Sequence, residues 1–249
     1  MNIALITAYF YPYSTGGTER YVYDLGISLQ NAGHRVMVIC PAKDQADFVH
    51  ENLRVCAFEE ENNPQFEALL SAEKIHIAHF HTLTPAVDTL QMEIAAKAGC
   101  RVFFSSHVTG NTCVRGDLLR YGKKPCDGKV RSQTCMACYL NSRGMPLPLA
   151  KPAAVATRAI GKPQPLADVV IAKKEQLKKI AGVCDGVFVF SDWQKQTFTL
   201  NDIEQTRVIP HPWTAKPDTY ADFAGKKPAN HIRIGFAGRI SPEKGLDVL

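Results

Sequence analysis

The first 36 residues, MNIALITAYFYPYSTGGTERYVYDLGISLQNAGHRV (1–36), decide the fold class. The apolar run at 3–8 is typical of a buried strand. The pair Gly16-Gly17 forms a turn into a helix with Thr18 in the N-cap position, and Gly33 ends this helix before a second apolar run. A strand, a helix and a second strand in this order predict a βαβ unit with parallel strands.

The same alternation continues along the chain. Further apolar runs lie at 35–40, 55–58, 75–80, 101–105, 187–190 and 207–210, with helices predicted at about 85–98 and 166–181. The sequence therefore predicts an α/β fold, a Rossmann-like parallel sheet with helices on both faces.

Three regions are predicted along the chain. We expect 1–210 to form an N-terminal Rossmann-like domain. Residues 211–230 are rich in Pro, Lys and Asp and are typical of a linker. Residues 231–249 are predicted to begin a second Rossmann-like domain that is truncated in this chain.

Composition sets broad limits on function. With 249 residues, 45% of them apolar, the chain can bury a core without disulfides or metal, and its net charge of +5 fits an anionic ligand. The N-terminus has no signal-peptide pattern, and no apolar run is long enough to cross a bilayer. We expect a cytoplasmic protein. The lysines of 166–181 are more typical of a solvated surface than of a membrane patch, and peripheral contact with the inner face of the membrane stays an open alternative.

Five segments carry a family resemblance. They are YPYSTGGTER at 11–20, GHRV at 33–36, HFH at 79–81, SSH at 105–107 and FAGRISPEKG at 236–245. In this order and spacing they resemble the retaining glycosyltransferases of family 4, which have the two-domain GT-B fold. The resemblance implies a nucleotide-diphosphate sugar as donor and a glycan, a lipid-linked sugar or a small molecule as acceptor. It also implies that 1–210 form the acceptor-side domain and that 231–249 begin the domain that binds the nucleotide-sugar. In this family an acidic donor motif follows later in the chain, so we expect these residues alone to be an inactive fragment.

The resemblance assigns residues to the donor side. Gly16 and Gly17 let the backbone approach a diphosphate at a helix N-terminus, where free N–H groups and the helix dipole favour negative charge. Arg239 and Lys244 match the pair that clamps the diphosphate from the second domain. His107 follows a strand end and matches the histidine that reaches the donor sugar, so it is the predicted catalytic residue.

Tyr13 and His81 are the candidates for the acceptor side. Tyr13 lies in an aromatic loop whose rings can stack on a sugar. His79 and His81 share one face of their strand because side chains alternate. We expect His79 to pack in the interior and His81 to face the acceptor.

A cysteine-rich insertion is predicted at about 108–148, where the hydrophobic periodicity is lost. It contains Cys113, Cys126, Cys135 and Cys138, the last two in a Cys-x-x-Cys pair. Four thiolates suit a structural zinc ion, which is our first interpretation, while an iron–sulfur cluster and two disulfides remain open.

Two other classes of function were weighed. The first is a metal-stabilised module whose basic insertion binds nucleic acid or an acidic partner. The sequence shows no recognition helix or aromatic-basic platform, so we expect no nucleic-acid partner. The second is a Rossmann oxidoreductase, which is disfavoured because Gly-x-Gly-x-x-Gly does not follow the first strand.

Overall fold

A computed structural model describes residues 1–41, 47–60, 62–159 and 165–210, together with the single residues 235, 236 and 240. The chain divides into two units, Met1–Pro210 and His211–Leu249, and every element given below lies in the first. The predicted linker and the predicted start of a second domain fall, apart from these three single residues, outside the described residues.

The described strands belong to two sheets. They are β1 (Asn2–Ile6), β2 (Arg35–Pro41), β3 (Phe48–His50), β4 (Leu53–Phe58), β5 (Ile77–Phe80), β6 (Arg101–Ser105), β7 (Leu119–Arg120), β8 (Lys124–Pro125), β9 (Gly186–Val189) and β10 (Thr206–Val208). Eight of them form one sheet in the order β10-β9-β6-β5-β1-β2-β4-β3, while β7 and β8 pair separately. Every pair in the large sheet is parallel except β3 with β4.

Helices connect these strands. They are α1 (Gly17–Asn31), α2 (Asn63–Ala72), α3 (Thr89–Lys97), α4 (Ser132–Ser142), α5 (Leu147–Ala159), α6 (Pro165–Val183) and α7 (Asp192–Thr199), with one 3-10 turn at Thr109–Asn111. In the part of the chain that the structure describes, no helix combines the length and apolar character needed to span a bilayer.

Two cores lie on opposite faces of the large sheet, because side chains alternate along each strand. Ile6 and Phe80 belong to the larger core, together with side chains of α2, α3 and α6. Leu5 and Val38 belong to the smaller core and pack with Val22 of α1. The predicted α/β fold, a mainly parallel sheet with helices on both faces, is confirmed.

The predicted helix starts needed correction. The N-cap of α1 is Gly16 rather than Thr18. The backbone of Gly16 is extended, and because glycine has no side chain, no side-chain hydrogen bond caps this helix. Helix α3 begins later than predicted, because Asp88 and Gln91 form a capping box there. The short helices α2 and α7 were not predicted at all.

The segment 108–148 is more regular than its sequence indicates, since it holds the 3-10 turn, the β7–β8 ribbon and α4. Remote residues hold it in place. Lys173 Nζ donates to the carbonyl oxygen of Gly110 at 2.9 Å. Asn201 donates to the Gly128 carbonyl at 2.8 Å and accepts from the Val130 N–H at 2.9 Å.

Candidate functional site

The candidate site lies at the C-terminal edge of the large sheet, where ligands bind in open α/β folds. Strands β5, β6 and β9 are parallel neighbours, so their ends meet at this edge. His81 follows β5, His107 follows β6, and Phe190 follows β9. Residues far apart in sequence are thereby brought together.

Three imidazoles form a histidine cluster, which consists of His79, His81 and His107. The His79 and His81 rings lie 4.2 Å apart between centroids, on one side of the sheet. Nδ1 of His81 lies 3.2 Å from Nε2 of His107, and Nε2 of His79 lies 2.8 Å from Oγ of Ser105. His79 and His81 are only 8% and 1% exposed, whereas His107 is partly exposed.

Tyr21, from the second turn of α1, covers the cluster. Its ring centroid lies 4.9 Å from that of His107 and 5.3 Å from that of Phe190. Its hydroxyl is hydrogen-bonded to Ser105, and burial raises the pKa of this phenol. Tyr21 therefore helps to fix the position of the His107 ring.

Burial keeps the two inner histidines neutral. Burial first, and the neighbouring imidazole of His107 second, lower the pKa of His79 to about 3. The pKa of His81 is lowered well below its usual value by burial and then by His79 and His107. A neutral imidazole has one N–H and one lone pair, so each hydrogen bond in the cluster depends on a tautomer.

Sequence reasoning did not identify Tyr21 or Ser105 as parts of the site. Ser105 lies inside the Ser-Ser-His motif that points to His107, which is a usable signal. Tyr21 lies beside Val22 and is typical of a core aromatic residue, so only the fold reveals its contact with His107.

The two glycines of the first turn have different surroundings. A Cβ atom at Gly16 would lie 2.6 Å from Oε2 of Glu19, and this carboxylate accepts a 2.6 Å hydrogen bond from Ser14. A Cβ atom at Gly17 would meet no atom within 4 Å. Gly16 thus has an internal packing role, while the backbone at Gly17 is open to approach. The predicted partners Arg239 and Lys244 lie outside the described residues.

The aromatic first loop reaches the β3 edge of the sheet. Tyr13 is 69% exposed, and its ring meets Phe48 edge to face at 5.9 Å. Tyr11 stacks on His50 at 5.0 Å, and Tyr9 is 61% exposed. Exposed tyrosine rings at a strand-end loop are suited to stacking on a sugar.

The predicted metal site is not supported. All eight cysteines lie within the described residues and are free thiols, and no group of three or more His, Cys, Asp or Glu side chains in that part of the chain is placed to hold a metal ion. The sulfur of Cys135 accepts the Arg131 N–H, and that of Cys138 accepts the Tyr121 N–H, each at 3.2 Å. Burial raises the pKa of both thiols, whereas these backbone N–H groups act in the opposite direction by stabilising the thiolate.

Zinc is therefore without support among the described residues. The predicted ligands Cys113 and Cys126 also remain unbridged and are partly exposed. Because the cysteines are free thiols, the disulfide alternative is without support, and the iron–sulfur alternative is without support because no described group is placed to hold a metal.

The sequence model described as Glycosyltransferase Family 4 matches residues 15–127. This segment contains the Gly16-Gly17 turn and the whole histidine cluster. The resemblance predicted from the sequence is confirmed over these residues. A search of curated proteins finds no match to the chain.

Fifteen chains of solved structures match, and three are described here. The catalytic domain of starch synthase IV from Arabidopsis thaliana, bound to ADP and acarbose, is 16% identical, with a TM-score of 0.41 over 84% of this chain and 51% of that one. An alpha-glucosyltransferase in complex with UDP is 12% identical, with a TM-score of 0.31 over 42% of this chain and 28% of that one. An alpha-glucosyltransferase in complex with UDP and a 13-mer DNA that contains a mismatch is 10% identical, with a TM-score of 0.37 over 77% of this chain and 37% of that one. The chain thus spans about half or less of each, and TM-scores this low support no conclusion about its function.

Proposed function

Because residues 15–127 match Glycosyltransferase Family 4, we propose that this chain carries the acceptor-side domain of an enzyme that transfers a sugar from a nucleotide-diphosphate sugar with retention. The observation that carries the proposal is the His81–His107 pair at the C-terminal edge of the sheet, inside the matched segment. No metal ion is needed in this proposal, because positioning and charge stabilisation supply the catalysis.

His107 is the proposed catalytic residue. It is partly exposed at the sheet edge, whereas the other two histidines of the cluster are buried, so it is the one placed to meet a ligand. Its side chain would hydrogen-bond the donor sugar while positive charge develops at the anomeric carbon.

The donor diphosphate is proposed to lie at the Gly16-Gly17 turn, with Arg239 and Lys244 contributing from the second domain. The absence of atoms near a Cβ at Gly17 supports the first part of this assignment. The N-terminus of α1 adds the positive end of a 15-residue helix.

The acceptor is proposed to be a glycan or a lipid-linked sugar. Tyr13 offers an exposed ring for stacking. The near-complete burial of His81 favours a role through His107 over direct contact with the acceptor. A lipid-linked acceptor fits a cytoplasmic enzyme that contacts the inner face of the membrane peripherally.

The test compares His107→Ala with His34→Ala, a histidine at the opposite end of the sheet before β2. Release of nucleoside diphosphate is measured with a panel of nucleotide-sugars and glycan acceptors, on a polypeptide that includes both domains. We expect turnover to fall about 10²–10³-fold in His107→Ala, the usual effect of losing one preorganised polar contact, and to stay unchanged in His34→Ala. Unchanged turnover in His107→Ala, or a loss matched by loss of folded protein, would remove His107 from the active site.

Gly17→Ala tests the donor side separately. The folded chain has room for the added methyl group, and alanine in a first helical turn stabilises by about 0.5 kcal/mol. We expect KM for the nucleotide-sugar to rise about tenfold, because a diphosphate would meet the methyl group, while the melting temperature does not fall. An unchanged KM would move the diphosphate away from this turn.

A further inference from the structure

One ring nitrogen in the histidine cluster lacks a partner. Nε2 of His81 is fully buried and has no hydrogen-bond partner among the described residues, although Nδ1 of the same ring lies 3.2 Å from Nε2 of His107. The backbone N–H of His81 donates to the Ile6 carbonyl at 2.8 Å, which anchors the residue to the end of β1. The ring is therefore held with one nitrogen paired and the other buried without a partner.

Two tautomeric arrangements of this pair are chemically allowed. In one, His81 carries its proton on Nε2 and accepts a hydrogen bond from Nε2–H of His107. A buried N–H would then have no acceptor, and orphaned N–H groups are rare in folded proteins. In the other, His81 carries its proton on Nδ1 and donates to the lone pair on Nε2 of His107. Only a lone pair of His81 is then left unpaired.

We propose that His81 is a positioning residue whose Nδ1–H donates to Nε2 of His107, so that neutral His107 carries its own proton on Nδ1. The His107 ring packs against both Tyr21 and Phe190, with centroids at 4.9 and 5.0 Å. These aromatic contacts restrict the tilt of the ring, and the bond from His81 selects its tautomer.

The consequence for chemistry rests on the proposed function. With Nε2 occupied by His81, the other nitrogen of His107 is an N–H donor. It is suited to an oxygen lone pair of the donor sugar and cannot accept a proton from an acceptor hydroxyl. His107 would then stabilise the donor and would not act as the general base.

Long-range ¹H–¹⁵N correlation spectra of histidine-labelled protein measure the tautomers directly, without any activity. In the unsubstituted chain we expect a protonated Nδ1 and an unprotonated Nε2 for both His81 and His107. A proton on Nε2 of His107 at neutral pH would overturn the proposal.

Two variants sharpen the test. His81→Phe keeps a planar ring and removes both nitrogens, so His107 should shift toward the Nε2–H form. His81→Asn keeps an amide N–H near the position of Nδ1 and should preserve the Nδ1–H form of His107. The same His107 tautomer in both variants would contradict the proposal. If His81→Phe does not fold, the tautomers of His81→Asn and of the unsubstituted chain still test it.

Turnover separates this inference from the proposed function. In the two-domain protein we expect His81→Phe to lower kcat about tenfold with little change in KM, and His81→Asn to recover most of it. The expected tautomers without any sugar transfer would refute the proposed function and leave the tautomer assignment intact. Sugar transfer by a protein whose His107 is protonated on Nε2 would refute the tautomer assignment and leave the proposed function intact.

Discussion

His81 and His107 were predicted as site residues, and Cys113, Cys126, Cys135 and Cys138 as metal ligands. The structure brings the two histidines to hydrogen-bonding distance, whereas no group placed to hold a metal ion is found among the described residues. His79 and His107 belong to neighbouring parallel strands and their ends, so the β5–β6 register sets their separation. Cys113 and Cys126 lie outside the helices and strands, Cys135 and Cys138 lie on α4, and the sulfur atoms of the last two accept backbone N–H groups. Sheet register thus brings remote residues together more reliably than sequence spacing does inside an insertion.

The largest expected effect concerns acid stability of the histidine cluster. His79 has a pKa of about 3 when folded and near 6.5 when unfolded, so below pH 6.5 the unfolded chain binds a proton that the folded chain does not. Its contribution to stability is complete above pH 6.5 and is lost as pH falls toward 3. At pH 5 the free energy of unfolding is lower by about 2 kcal/mol than at pH 8 because of His79.

Urea unfolding from pH 8 to pH 5 measures this loss. His79→Phe should show a shallower decline of the unfolding free energy, by up to about 1.4 kcal/mol per pH unit, and His34→Phe should not. Parallel pH profiles for His79→Phe and the unsubstituted chain would show that His79 is protonated in the fold.

The next effect concerns what holds the cysteine-bearing segment in place. Asn201→Ala removes hydrogen bonds to Val130, Gly128 and Thr197, and we expect a loss of about 2 kcal/mol in unfolding free energy. Glu204→Ala is the matched control, since Glu204 is a nearby exposed side chain. If Cys126→Ser destabilises more than Asn201→Ala, the sulfur atoms rather than Asn201 hold the segment.

The smallest expected effect is that of metal removal. Because no described group is placed to hold an ion, a chelator should shift the melting temperature by less than about 1 °C. Elemental analysis of protein purified without chelator gives an independent answer. Close to one equivalent of zinc per chain would restore the site predicted from the cysteine spacing.

The strands of the large sheet were predictable because their apolar runs are long and regular. Strand β6 has the predicted bounds, and β1, β2 and β5 differ by a few residues at their ends. The edge strand β3 was missed, since it is only three residues long and pairs with one neighbour. Helix α7 was missed because it is only eight residues long and mostly polar.

The candidate site was only partly predictable. The sequence motifs located His81 and His107 at strand ends, yet the bond between them depends on the ring orientations, which periodicity does not determine. The contact of Tyr21 with His107 depends on how α1 packs on the sheet. The zinc interpretation is left without support among the described residues, because spacing alone does not set the direction in which each sulfur points.

The position of the insertion also affects how the chain folds. The pairs β1–β2, β2–β4 and β5–β6 join strands that are close in sequence, whereas β5 must reach β1 across 7–76 and β9 must reach β6 across 106–185. Closing loops of this length carries an entropic cost before any pairing is gained, so the β1–β5 and β6–β9 pairings are expected to form after the local ones. During synthesis, β6, whose end is followed by His107, would lack β9 as its second neighbouring strand until the ribosome has made the helices that lie between β6 and β9.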